Sequence, residues 1–206
     1  MEFYPGKSDE IRRNERVFTM KSNQTRNLVL CAMCAAITCI LAPISVPIGP
    51  VPISLCTFAV MLAGVLLGAK LGFLSQLIYV LLGAVGVPVF AGYSAGVSCI
   101  AGMTGGYIVA YPVLAFLTGL LYWKFGKNQT GKLRILWMLL SMVIGTVVLY
   151  AIGTAWFCVV SGSGAAAAMG LCVIPFLPGD FLKMVVVILI SLPIEKALAK
   201  MAVAEA

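Results

Sequence analysis

The chain reads as an all-α membrane protein with six transmembrane helices. Hydrophobic residues make up 62% of its 206 residues, charged residues only 10%, and the mean hydropathy is +1.07. A soluble domain of this length cannot turn that much apolar surface inward, so lipid must be the solvent for much of it. The apolar stretches are continuous rather than alternating, which argues for helices over a membrane barrel.

Each helix needs roughly 20 apolar residues to cross a bilayer. The first span covers residues 27–46 and stops at the prolines 43, 47, 50 and 52. The second and third, 54–69 and 71–86, are short and separated only by Lys70. The fourth covers 105–123, the fifth 133–160 and the sixth 180–196. This divides the chain into a basic tail (1–26), a six-helix domain (27–200) and a short C-terminal tail (201–206). The N-terminal tail is polar, lacks the apolar core of a cleavable signal and is expected to be irregular. Lys21, beside Met20, adds to a charge that meets anionic lipid.

Charge then orients the bundle. Thirteen of the fourteen Lys and Arg residues fall in the two termini or in the second and fourth connections. Those segments share one side of a six-span bundle, and the positive-inside rule makes that side the cytoplasm. Both termini are therefore expected inside. The exception is Lys183. The outer connections 43–53, 87–103 and 161–179 are uncharged, moderately apolar and rich in Gly and Pro. Backbone of that kind at a bundle mouth packs around a cavity. They are expected to form lids over an external ligand pocket.

Between Glu15 and Glu195 the only acidic side chain is Asp180, three residues before Lys183. A charge at membrane depth costs at least about 2.5 kcal/mol, and residues three apart share a helix face. Asp180 after Pro178-Gly179 also suits a helix N-cap, a role compatible with ligand binding. Lys183 in a first helical turn opposes the dipole; it either neutralises Asp180, snorkels to the interface, or meets a ligand.

Other chemistries fail on inventory. With no His in the chain, Ser–His and Cys–His catalysis and most zinc sites are excluded. An intramembrane aspartyl protease needs two carboxylates sharing a proton, and Glu195 lies at the far end of the sixth helix. A self-sufficient secondary transporter would call for internal repeats, and the halves show none. No enzyme, metal site or nucleic-acid partner is expected. The absence of a Gly-x-x-x-x-Gly-Lys-Ser/Thr loop excludes ATP binding by that route. The seven cysteines include Cys31-x-x-Cys34 inside an apolar helix, which reads as small hydrophobes; Cys99, Cys158 and Cys172 fall near the outer face, where pairing is open.

Five blocks, in order, carry a resemblance. They are residues 48–55 (IGPVPISL), 62–68 (LAGVLLG), 86–92 (GVPVFAG), 104–107 (TGGY) and 178–180 (PGD) with Lys183. The chain resembles the BioY family, the biotin-specific S components of energy-coupling-factor (ECF) vitamin transporters. Two departures are Cys56, where that family usually has Gln, and Met103, where it usually has Pro. The resemblance implies six helices with cytoplasmic termini, an outward-opening biotin pocket, and residence in the plasma membrane of a prokaryote. It implies as partners a transmembrane coupling subunit and two ATPases, which use the ATP, while this chain binds no cofactor.

On that basis Asp180 and Lys183 are expected to hold the ureido ring, with Thr57, Phe90, Ala91, Gly92, Tyr93, Tyr107 and Trp156 as further ligand contacts. For each aromatic, lipid-facing packing is the competing assignment. The resemblance also implies that the small-xxx-small step Ala32…Ala36 docks on the coupling subunit, internal packing of the first helix being the alternative. Gly64…Gly68 and Gly102…Gly106 have the same spacing and are assigned to internal packing. An S component for another vitamin, or a secondary transporter of a small metabolite, is the alternative reading.

Overall fold

A computed structural model describes the backbone of residues 6–47 and 51–204, and the side chains of 24–47, 51–198 and 200. The family-like residues 48–50 and the extreme termini (1–5, 205–206) lie outside the described residues.

Helix α1 spans Gly6–Leu41. Residues 6–26, expected to be an irregular tail, continue the first span as helix. No proline or second glycine interrupts the segment. The membrane-length apolar window starts at Gln24. Helix α1 stops two residues short of Pro43, because the residue before a proline avoids helical geometry. A two-stranded ribbon follows, with β1 (Ser45–Val46) antiparallel to β2 (Ile53–Ser54).

Helix α2, Cys56–Val85, is two helical arms that meet at a kink at Gly68 and fold back on each other. There φ is 78° and ψ is −174°, a backbone that glycine alone adopts freely. A Cβ on Gly72 would lie 3.2 Å from the Gly64 Cα, whereas eight residues of straight helix span about 12 Å. Likewise Cys56 and Tyr79, 23 residues apart, touch through Sγ and the hydroxyl at 3.8 Å. The expected second and third spans are therefore the two short arms of this hairpin. The turn centres on Gly68, not on Lys70. Among the described residues, five helices have the length and apolarity to cross a bilayer, and the fold at Gly68 makes α2 two segments.

After Val85 come a 3-10 turn at Ala91–Tyr93 and the short helix α3, Val97–Ala101. Helix α4 (Gly105–Leu121) ends in a π-turn, Tyr122–Gly126. Helix α5 spans Gly131–Ser161. The last outer connection is more ordered than its composition suggests, holding helix α6 (Ala165–Cys172) and a 3-10 turn at Ile174–Phe176. Helix α7, Leu177–Ala204, begins three residues before Asp180 and outlasts the expected end at 196.

Helix α4 packs against both arms of α2 and against α5. A Cβ at Gly64 would meet the Ala115 carbonyl oxygen at 2.7 Å, and one at Gly119 would meet the Gly68 carbonyl carbon at 2.4 Å. Such approaches let helices in lipid gain dispersion contacts where no hydrophobic force drives them together. Helix α1 is fastened to α2 by a buried polar contact, Gln76 Nε2 donating to Thr38 Oγ1 at 3.1 Å. At the end carrying the basic connections, Arg134 on α5 is ion-paired with Glu195 on α7, and Tyr122 donates to the same carboxylate at 3.0 Å. All seven cysteines are free; Cys31 and Cys34 are buried among apolar neighbours, as read from sequence.

Candidate functional site

Three helices begin at one end of the bundle: α2 at Cys56, α4 at Gly105 and α7 at Leu177. Their N-terminal turns surround a cavity whose empty volume, mouth included, is about 740 Å³. Three converging helix N-termini favour negative charge, and the first turn of α7 supplies it as Asp180.

Asp180 is 3% exposed. Its Oδ1 accepts from Lys183 Nζ at 2.8 Å and from Thr57 Oγ1 at 3.1 Å, while Oδ2 accepts from the Tyr150 hydroxyl at 2.6 Å. Lys183 also donates to Thr57 Oγ1 at 3.0 Å. The N-cap reading of Asp180 gives way to this arrangement. Because α7 starts at Leu177, Asp180 sits inside the first turn, where its carboxylate turns sideways to partners on α2 and α5. Lys183, one turn further on, is drawn to Asp180 against an unfavourable dipole. Both side chains are largely buried, at 11% exposure for Lys183 and 4% for Asp180.

Of the sequence-predicted residues, Thr57, Phe90, Ala91, Tyr107, Asp180 and Lys183 line the cavity together. Gly92, Tyr93 and Trp156 lie outside its lining. Gly92 and Tyr93 both have positive φ, 66° and 60°; this left-handed turn swings Tyr93 outward to 70% exposure. The Gly92 N–H instead donates to the Pro43 carbonyl at 3.2 Å, joining two loops. Trp156 faces away on α5, donates its indole N–H to the Gly102 carbonyl at 3.0 Å, and packs where a Gly106 Cβ would be.

The wall is more aromatic than expected. Tyr79, Tyr111, Tyr150 and Phe176 join Phe90 and Tyr107, with Ser54, Ser94 and Thr104 supplying hydroxyls. Tyr79 and Phe90 meet edge to face at 5.7 Å. The Phe90 ring occupies the space a side chain on Gly83 would need, 2.2 Å from an ideal Cβ. Tyr107 shares a hydrogen with Thr154 at 3.1 Å and donates to the Cys172 carbonyl at 3.5 Å, which ties α6 to α4 and α5. Cys56 lines the cavity with its thiol directed at Tyr79. Tyr150 was missed in sequence although its helical phase marks it: Thr146, Leu149, Tyr150, Gly153 and Phe157 form the buried stripe of α5. Trp156, about 20° from Leu149 in helical phase, lies at the edge of that stripe and is 40% exposed.

On α1, Ala32 and Ala36 are exposed, beside Met33 and Ile40, which are 55% and 68% exposed. Internal packing of this helix uses Cys31, Ala35 and Thr38 instead. Gly64 and Gly106 do pack internally.

The family model described as BioY family matches residues 13–200. Among similar proteins, a probable biotin transporter BioY of Pyrococcus horikoshii is 44% identical over 82% of this chain and 95% of its own length. The biotin transporters BioY of Rhizobium etli and Thermotoga maritima are 40% and 38% identical, covering 81% and 83% of this chain and 91% and 96% of theirs. Among solved structures, the S-component for biotin from an ECF-type ABC transporter superposes with a TM-score of 0.77 at 28% identity, over 85% of this chain and 93% of that one. A second, the S component of a bacterial ECF transporter, shares the fold with a TM-score of 0.52 at 18% identity, over 87% and 98%. The six-segment membrane fold, the order of the sequence blocks and the match across nearly the whole chain agree: this chain belongs to the BioY family.

Proposed function

We propose that this chain is the biotin-capturing S component of an ECF-type importer. It takes biotin from outside a prokaryotic cell and presents it, with both termini in the cytoplasm, to a transmembrane coupling subunit energised by two ATPases. The observation that carries the reading is a count of unused hydrogen-bonding capacity.

A carboxylate accepts about four hydrogen bonds and an ammonium donates three. Asp180 has accepted three and Lys183 has donated two. One acceptor site and one donor are left, side by side and facing a cavity walled by aromatic rings. A cyclic urea offers the complement, an N–H adjacent to a carbonyl. Biotin's ureido ring therefore pairs with Asp180 and Lys183 through charge-assisted bonds, roughly twice as strong as neutral ones. The tetrahydrothiophene ring lies among Tyr79, Phe90 and Tyr107. The valerate carboxylate, too distant to share the same pair, reaches the hydroxyl-lined mouth.

Calorimetric titration of the full chain in lipid nanodiscs with biotin tests this, together with mass spectrometry of the small molecule that co-purifies. Biotin should bind one to one. Absence of heat with biotin, alongside a different co-purifying metabolite, would sink the assignment. Reconstituted alone, the chain should bind biotin without sustained ATP-driven uptake.

A further inference from the structure

A second cavity lies at the opposite end of the bundle. Its wall carries Arg26, Lys127 and Arg134 against one carboxylate, Glu195, with the Trp123 ring between them. Lys127 Nζ sits over that ring, 2.9 Å from its centroid. Cationic side chains so arranged hold an anion of more than one oxygen.

This cavity does not end in protein. Leu30, Leu66, Leu67 and Leu198 line it and also line a neighbouring groove between α1, the first arm of α2 and α7. The groove continues past Met33, Ile37 and Leu62, and its surface is almost entirely apolar. From Leu30 to Ile37 it rises about 10 Å along α1. A positive basin opening into an apolar furrow along the membrane normal has the outline of a phospholipid, phosphate below and acyl chain above.

We infer that this composite site binds one anionic phospholipid of the cytoplasmic leaflet. Lys127 and Arg134 take the phosphate and the furrow takes an acyl chain. The inference rests on the inside-positive orientation and is independent of which ligand fills the outer cavity. Basic pockets between helices on the cytoplasmic side suit such headgroups. Glu195 spreads its charge over Arg134 and Tyr122, which lowers the repulsion an anion would otherwise meet. The furrow faces away from Ala32 and Ala36: at 100° per residue, Leu30, Met33, Cys34 and Ile37 cluster on one side of α1 and the two alanines lie well round it. The lipid and a docked partner would thus use different faces.

Native mass spectrometry of the full chain, released from nanodiscs of phosphatidylcholine with one fifth phosphatidylglycerol, tests the site. The ratio of retained phosphatidylglycerol to retained phosphatidylcholine should exceed the one-to-four ratio of the bilayer at least fivefold. Lys127→Gln should reduce that excess at least fivefold, and so should Ile37→Trp, which fills the furrow; biotin titration should be unchanged in both, which also shows that they fold. Equal retention of the two lipids would overturn the inference. So would loss in Lys127→Gln but not in Ile37→Trp, or displacement by millimolar inorganic phosphate, since either means that a bare anion is held.

Discussion

Tyr150 on α5 donates its hydroxyl hydrogen to Asp180 Oδ2 on α7 at 2.6 Å, joining two helices beside the candidate ligand cavity. Both side chains are buried, with Tyr150 at 9% exposure. The bond fixes the carboxylate's rotation, so that Oδ1 faces Thr57 and Lys183. Tyr150→Phe keeps the ring and removes only this donor. A hydrogen bond to a charged group contributes about 1.5–3 kcal/mol; biotin affinity should fall about tenfold or more, with the melting temperature lowered by only a few degrees. Unchanged calorimetry would show that Thr57 and Lys183 alone orient the carboxylate.

The two charges should differ when removed singly. Lys183→Ala leaves Asp180 with Thr57, Tyr150 and the nearby helix N-termini. Asp180→Asn instead strands a mostly buried ammonium whose remaining partner is the Thr57 hydroxyl. Breaking a buried pair costs about 3–5 kcal/mol when the surviving charge is uncompensated. Both variants should bind biotin more than tenfold more weakly, and Asp180→Asn should melt at the lower temperature. The double variant should melt above Asp180→Asn, because no ion is then left alone. A melting order with Lys183→Ala lowest would contradict this electrostatic account.

The pair was legible in sequence because isolated charges in an apolar run are rare and have few explanations. The hairpin at Gly68 was half legible: short spans showed that two segments existed, but a one-residue reversal leaves no polar linker to mark it. Composition marked 161–179 as a connection but not the helix α6 within it, since alanine-rich apolar helix and apolar loop share a composition. Tyr93 and Trp156 are wall candidates by residue type, and Gly92 comes from the resemblance block 86–92. Whether an aromatic faces a cavity depends on helical phase and on turn geometry, and the positive φ at Tyr93 is a property of the surrounding backbone.

Gly83 offers a test of the cavity wall from behind. A methyl group there would collide with the end of the Phe90 ring, 2.2 Å from its ideal Cβ. Phe90 is 1% exposed and wedged against Tyr79, so the ring must move into the cavity. Overpacking of this kind costs about 1–3 kcal/mol. Gly83→Ala should lower the melting temperature and weaken biotin at least tenfold. Adding Phe90→Leu should restore most of the thermal loss. If the single variant binds as tightly as the parent, Phe90 does not bound the occupied volume.

Ala32 and Ala36 provide the test of coupling. They are exposed on a helix whose apolar window is only 17% buried within the chain, and the buried stripe of α1 runs through Cys31, Ala35 and Thr38 instead. Small side chains left on an unburied face let a partner's backbone approach closely. Ala32→Trp or Ala36→Trp adds a bulky ring outside the fold, so stability and biotin affinity should stay within about twofold of the parent. Association with the coupling subunit should be lost, and with it ATP-driven biotin uptake in vesicles containing all the subunits. The same substitution at Met33, already large and 55% exposed, should be tolerated. Full uptake by both alanine variants would exclude this face as the docking surface, while reduced biotin binding in the isolated chain would mean that the substitutions disturb the bundle itself.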